Sequence, residues 1–269
     1  MATVCLSFDF DAVSNWLIPS RNSPTNRTRG LFGAEVGAPR VLDLLSRHGI
    51  EATWFVPGHT IESFPAEAER VYAEGHDVQH HGWTHTPPAE YADEAAERAD
   101  FERGIETVAD LTGREPTGYR SPSWDFSDHT VDILLDLGFE WDSSEMAREF
   151  DFYSLHRGDT AVQDVPYDRG EETDIVEVPI SWQRDDFPPF TYRGSNGFVD
   201  EAAVFRAWRE KFDYLYDHGG DAYVLTMHPQ VIGHSNRIRR LGKLIEHMKS
   251  RPETEFATIS AAVEGFKNR

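Results

Sequence analysis

The chain has one cysteine, Cys5, so it forms no internal disulfide and offers no cysteine-based zinc cluster. Lysine is scarce. Of 26 basic residues only Lys211, Lys243, Lys249 and Lys267 are lysine, against 47 Asp and Glu, which leaves a net charge of -21. A field of that sign repels nucleic acid and anionic membranes and excludes both as partners. Acid-rich, Lys-poor composition also predicts a halophilic protein in a salt-rich cytosol, where screening within a few Å quiets self-repulsion. An ordinary acidic cytosolic enzyme is the simpler alternative. No run of about eighteen apolar residues, as a membrane helix needs, occurs. Met1 to Ser7 lacks the charged flank and long apolar stretch of a signal peptide, so the protein is expected to be cytoplasmic. Asn26-Arg27-Thr28 then matches a glycosylation acceptor by chance. Phosphate-binding and dinucleotide glycine motifs are missing, as is GxSxG, which removes support for a nucleotide cofactor or a serine nucleophile.

The 269 residues are enough to bury a sizeable core, and with no linker in sight they predict a single α/β domain over 1–269. Ligand-type side chains concentrate in HHGWTH, His80 to His85. If that stretch turns helically, His81 and His85 lie four apart on one face and can grip one divalent ion. A catalytic site needs a third protein ligand and an open position. SFDFDA supplies an acid where the apolar run Val4 to Phe8 ends, and strand alternation turns Asp9 and Asp11 the same way with Phe10 opposite. One of the two can bind a metal while the other stays free as a base.

The remaining segments suggest how a site assembles. Ala12 to Ala38, rich in Ser, Asn, Arg and Gly, reads as a long loop. Pro39 opens a helix, Ala52 to Val56 forms a strand, Pro65 to Glu74 a helix and His76 to Gln79 a strand that enters the histidine motif. A long helix spans Glu90 to Leu111. Gly118-Tyr119 then leads into RSPSWDFS, and Thr130 to Leu137 is helical. Glu145 to Arg193 reads as irregular, with a strand at Ile175 to Val178 and an exposed loop at DDFPPF, Asp185 to Phe190. A helix from Asp200 to His218, a strand from Ala222 to Met227 and a basic helix over Arg237 to Ser250 complete the chain. This alternation predicts βαβ units around a parallel sheet. Asp9, Asp11, His81, His85, Arg120 and His228 all fall just past strand ends, where barrel enzymes carry catalytic residues. His80, His59, Asp142 and Asp185 are expected to serve structure, and His234 competes with His228 for its role.

SFDFD, HGWTH, RSPSW and TMHP, in that order, resemble the polysaccharide deacetylase family, also called NodB-homology or carbohydrate esterase family 4. RGLFGAEVGAPR (Arg29 to Arg40) and ATWFVPGHTIESFP (Ala52 to Pro65) resemble its intracellular branch of peptidoglycan deacetylase-like proteins, cyclic imidases and allantoinase-like enzymes. The resemblance implies a deformed (β/α)7, TIM-like barrel and a divalent metal, usually zinc, held by Asp11, His81 and His85. It also implies Asp9 as base, His228 as acid and Arg120 as the partner that orients Asp9. Secreted members often carry adjacent aspartates, whereas Phe10 separates them here, so the roles of Asp9 and Asp11 can be exchanged.

Amide hydrolysis needs an activated water, a stabilised oxyanion and a proton for the departing nitrogen. The metal, Asp9 and His228 would meet those needs, and Trp83, Trp124 and Trp182 would wall the pocket. The expected reaction is hydrolysis of a carbon-nitrogen bond other than a peptide bond. Its substrate would be an N-acetylated sugar or a small cyclic imide or ureide, and a metal-binding barrel without catalysis is the non-enzymatic alternative. Self-association into a homo-oligomer is compatible with the sequence, which fixes no assembly state.

Overall fold

The computed structural model describes residues 2–191 and 199–269. Met1, and Tyr192 and Arg193 at the end of the segment expected to be irregular, lie outside the described residues.

The first strand, β1 (Ala2–Asp9), is buried on both faces, one apolar and the other carrying Ser7 and Asp9, which bond Arg120. Val4, Leu6, Phe8 and Phe10 join the largest apolar cluster, while Cys5 joins another. Strand alternation therefore places Ser7 and Asp9 on the side of Cys5. The next strands are β2 (Thr53–Val56), β3 (Asp77–His80), β4 (Gly118–Tyr119) and β5 (Trp141–Asp142). β6 (Tyr153–Arg157), β7 (Glu171–Glu177), β8 (Tyr223–Met227) and β9 (Thr254–Phe256) follow. The sheet order is β6-β7-β5-β4-β3-β2-β1-β8, with β9 pairing the start of β1. All neighbours run parallel except the β6/β7 hairpin.

Register sets the rim of this curled, deformed (β/α)7-type sheet. Asp9 pairs with Phe55, Phe8 with Met227, Val56 with His80, and His80 with Tyr119. The residues that come next, Asp11, His81, Arg120 and His228, are thereby delivered to one end. Between β7 and β8 the seam carries one isolated bridge, Asp185 to Thr226, and a hydrogen bond from the Asp186 N–H to the Thr226 carbonyl of 3.3 Å.

Several expectations change. Residues 12–38 are mostly helical: a 3-10 turn at Ser14–Trp16, then Pro24–Phe32 running through a π-helical stretch, Gly33–Gly37, into Ala38–His48. Ser23 caps that run, accepting from the Asn26 N–H, with Pro24 preset for the first turn. The glycines that made it read as a loop serve packing instead. Gly37 has ordinary helical dihedrals, but a Cβ there would meet the Pro229 carbonyl oxygen at 2.1 Å. That contact seats the helix against the turn that follows His228. A short helix at Gly58–Ser63, the strand β6, the strand β9 and the final helix Ile259–Lys267 also escaped the sequence reading. β7 starts earlier than the expected strand at 175 because β6 pairs along it back to Glu171 and Glu172. No described helix is long and apolar enough to cross a membrane.

Gly37→Ala should cost about 1–3 kcal/mol of stability, because the obstacle is backbone and cannot swing aside. Denaturant unfolding measures it, and a change below about 0.5 kcal/mol would mean that the two segments separate freely.

Candidate metal centre and active site

HHGWTH does not form a helix. His81 leaves the end of β3, and Gly82 turns the chain with φ +71°, a region that L side chains rarely adopt. The loop is held from outside by Asp100, whose carboxylate accepts from the Trp83 N–H at 2.7 Å and the Thr84 N–H at 3.0 Å. His81 and His85 therefore meet through a loop, with ring centroids 5.2 Å apart. His80 points away, packed on Phe101, Tyr119 and Phe139. Its Nδ1 accepts from the Gly82 N–H at 3.2 Å, and Nε2 lies 3.1 Å from the Phe101 carbonyl, to which it donates in the neutral ring. Burial pushes its pKa down to about 3.

Asp11 Oδ1 lies 3.5 Å from His81 Nε2 and 3.6 Å from His85 Nε2. Asp11 Oδ1 and His81 Nε2 are both buried with no hydrogen-bond partner. Donors about 2.1 Å from one tetrahedral ion sit about 3.4 Å apart, so this N2O set fits a zinc-like divalent cation. The orientations are prepared. His81 Nδ1 donates to the Arg120 carbonyl at 2.6 Å, which turns the lone pair of Nε2 towards Asp11. The other Asp11 oxygen, Oδ2, accepts from Gln230 Nε2 at 3.0 Å and Asn15 Nδ2 at 3.3 Å, leaving Oδ1 free. Burial works against the Asp11 carboxylate, but His85, the contact with His81 and the charge of His228 outweigh it and hold its pKa below the usual value. Burial also pushes His85 down to about 4, against the pull of Asp11, so its imidazole stays neutral as a ligand must. A second acidic group, Asp185, Asp186 and His228, is similarly compact. It differs in being satisfied internally, because His228 Nδ1 already bonds Asp186 at 2.7 Å.

Asp9 has a different environment. Its Oδ1 accepts from Arg120 Nη1 at 2.8 Å, and Oδ2 lies 3.8 Å from His228 Nε2. Arg120 is fully buried and anchored by Ser7 Oγ (2.9 Å from Nη1), the Ser143 carbonyl (2.9 Å from Nε) and Ser143 Oγ (2.8 Å from Nη2). Ser144 beside it is fixed by Asp142, whose oxygens accept from its N–H and hydroxyl. Burial pushes Asp142 up to about 6.

DDFPPF corrects the expectation of an exposed loop. Asp185 and Asp186 are buried, Phe187–Phe190 is a short helix, and Phe187 and Pro188 line the cleft. Asp186 accepts from the His228 N–H at 3.0 Å as well as from Nδ1, and Asp185 lies 3.5 Å from the ring. Burial alone would strip the His228 proton, but Asp185 and Asp186 overcome it and raise its pKa well above the ordinary value. Burial raises both carboxyls in turn, Asp185 the more. Asp186 is the nearer of the two, 2.7 Å from His228 Nδ1 against 3.5 Å for Asp185. Two acids before Phe-Pro-Pro read as loop, and only the pairing with a later histidine could have distinguished them. His234 stacks on Phe32 and lies outside the cleft.

These groups open into a cleft of about 350 Å³ lined by Asp9, His85, Asp185 and His228 on one side and Trp124 and Trp182 on another. The two indoles stack, with centroids 4.2 Å apart. Trp83, expected in this wall, is elsewhere: Arg103 lies over its ring at 3.1 Å and its Nε1 donates to Glu62. Those two surface charges hold it against the outside of the loop. His59 meets the edge of the same ring. Left-handed backbone at Ser123 and Trp124 borders the cleft, which is where strain is retained when the surroundings over-determine it.

Residues 32–141 match the family model for polysaccharide deacetylase. The chain is 35% identical over 283 residues to a peptidoglycan deacetylase of Helicobacter pylori, covering 99% of this chain and 96% of that protein. A Mycobacterium smegmatis crystal structure classed with the polysaccharide deacetylases superposes with a TM-score of 0.85 at 30% identity, covering 99% of this chain and 90% of that one. An allantoinase structure shares the fold with a TM-score of 0.82 at 18% identity, covering 99% and 90%. A rim of acids and histidines on this barrel, and a relative aligned along nearly its whole length, show that the chain belongs to the polysaccharide deacetylase family.

Proposed function

We propose that the chain is a divalent-metal-dependent hydrolase of carbon-nitrogen bonds other than peptide bonds, removing the acyl group from an N-acylated sugar. Membership of a deacetylase family supports the reaction class. The observation that carries the reading is the pair of unpartnered buried atoms, Asp11 Oδ1 and His81 Nε2, facing one another at 3.5 Å beside His85. Asp11, His81 and His85 would hold the ion, which when bound supplies Lewis acidity to a water and to the amide carbonyl.

The proton chemistry belongs to the protein. Asp9 faces the cleft with one oxygen while Arg120 fixes the other, so a water held over the cleft can pass its proton to Asp9 Oδ2. His228, 3.8 Å from that oxygen, carries a proton supported by Asp186 and can give it from Nε2 to the departing nitrogen. Base and acid are thus neighbours with different partners, a guanidinium for Asp9 and a carboxylate for His228. Trp124 and Trp182 present a flat apolar face on which a sugar ring can rest. That same flatness favours a second reading, a cyclic imide or ureide as substrate.

Asp9→Ala should keep its bound metal and lose amide hydrolysis by about 10²–10⁴-fold, read by metal analysis and turnover on N-acetyl sugars and cyclic imides. Retained turnover would remove Asp9 as base, and loss of the metal from Asp9→Ala but not from Asp11→Ala would exchange the two roles. A wild-type chain that binds metal but turns over neither class would be a binding barrel.

Asp186→Asn should shift the basic limb of the kcat/KM profile to lower pH by about a unit or more, because His228 must be protonated to act and loses an anion that holds its proton. An unmoved limb would assign the titration to another group.

A further inference from the structure

Away from the cleft, the helices Glu201–His218 and Ser235–Lys249 face each other across a groove of about 260 Å³ that shares no residue with it. Arg206 and Arg209 line one side, Arg240 and Lys243 the other, and Phe205 and Leu244 contribute apolar walls. Spacings of three residues along each helix put like charges side by side, an arrangement that destabilises helices unless something compensates it. Glu210 and Asp213 follow one turn after Arg206 and Arg209, but Asp213 is engaged by His247 and Arg251. Among the described residues, none of these four side chains takes part in a hydrogen bond or ion pair. Other basic groups here are matched: Arg237 pairs with Glu201 at 2.8 Å, and Asp213 accepts Arg251 and the His247 ring, itself part of the groove wall, at 2.8 Å each. In a chain of net charge -21, four convergent cations left unpaired in one concavity mark a place where an anion is wanted.

We propose that this groove binds a small multivalent oxyanion of the phosphate type. Three guanidinium forks match the tetrahedral oxygens of phosphate, and the local field acts within a Debye length of about 8 Å while the distant acids are screened. A second copy of the chain is a poorer occupant, because two bodies of charge -21 repel far more strongly than one such body and a compact anion.

The test is calorimetric titration of inorganic pyrophosphate into the metal-free full-length protein, in the lowest salt in which it stays folded by circular dichroism. One saturable site is expected, with affinity falling as salt rises. Arg209→Ala/Lys243→Ala should weaken it by about a hundredfold, near tenfold for each cation removed, while amide hydrolysis by the metal-loaded variant stays at the wild-type level. Asp11→Ala, which removes a cleft donor, should bind pyrophosphate like the wild type. Absence of a saturable site, or equal affinity in the double variant, would overturn the proposal. So would sedimentation showing a wild-type oligomer that Arg209→Glu converts to monomers, because the groove would then be an interface between copies.

Discussion

Arg120 is the residue through which the rest of the site is set. A guanidinium taken wholly out of water is costly unless its donors are used, and here they go to Ser7, Asp9 and both the carbonyl and the hydroxyl of Ser143. The same residue's carbonyl accepts from His81 Nδ1. One amino acid therefore fixes the candidate base through its side chain and a candidate ligand through its backbone. A lysine could not reproduce this arrangement, because its ammonium has no planar fork with which to span Asp9 and Ser143 together.

The acids around the cleft divide according to their partners. Asp9 faces a permanent cation, Asp11 faces two histidines, of which burial keeps His85 neutral, and Asp186 faces a histidine whose proton it supports. Three carboxylates within one buried region would repel one another if left alike. Matching each to a different counterpart removes that conflict, and under the proposed function it would also keep proton acceptance, ion binding and proton donation apart in space.

The ends of β1 and β8 are legible in the sequence because these buried parallel strands are mostly apolar runs, with Asp9 closing one and His228 following the other, whereas His81 and Arg120 follow short strands marked mainly by the alternation of elements. Phe10 packs in the apolar cluster between the two acids, although Asp11 itself lies beyond the end of β1. What escaped depends on contacts between distant segments. Asp185 and Asp186 read as solvent-exposed because their partner His228 lies about forty residues on, where a local reading cannot see it. The glycines of residues 30–37 resembled a loop because close approach to another backbone has no local signature. Trp83 was expected in the wall by adjacency to His81 and His85, yet the turn at Gly82 sends its ring to the outer surface.

The stacked indoles have a consequence of their own. Trp182 is 46% exposed and backed face to face by Trp124, so this side of the cleft is a stiff, hydrated slab. Water resting on it is released by whatever lies flat there, and that gain grows with the area of the covering face and not with the number of its hydroxyl groups. Molecules of equal size should therefore be ranked by how planar a side they can present.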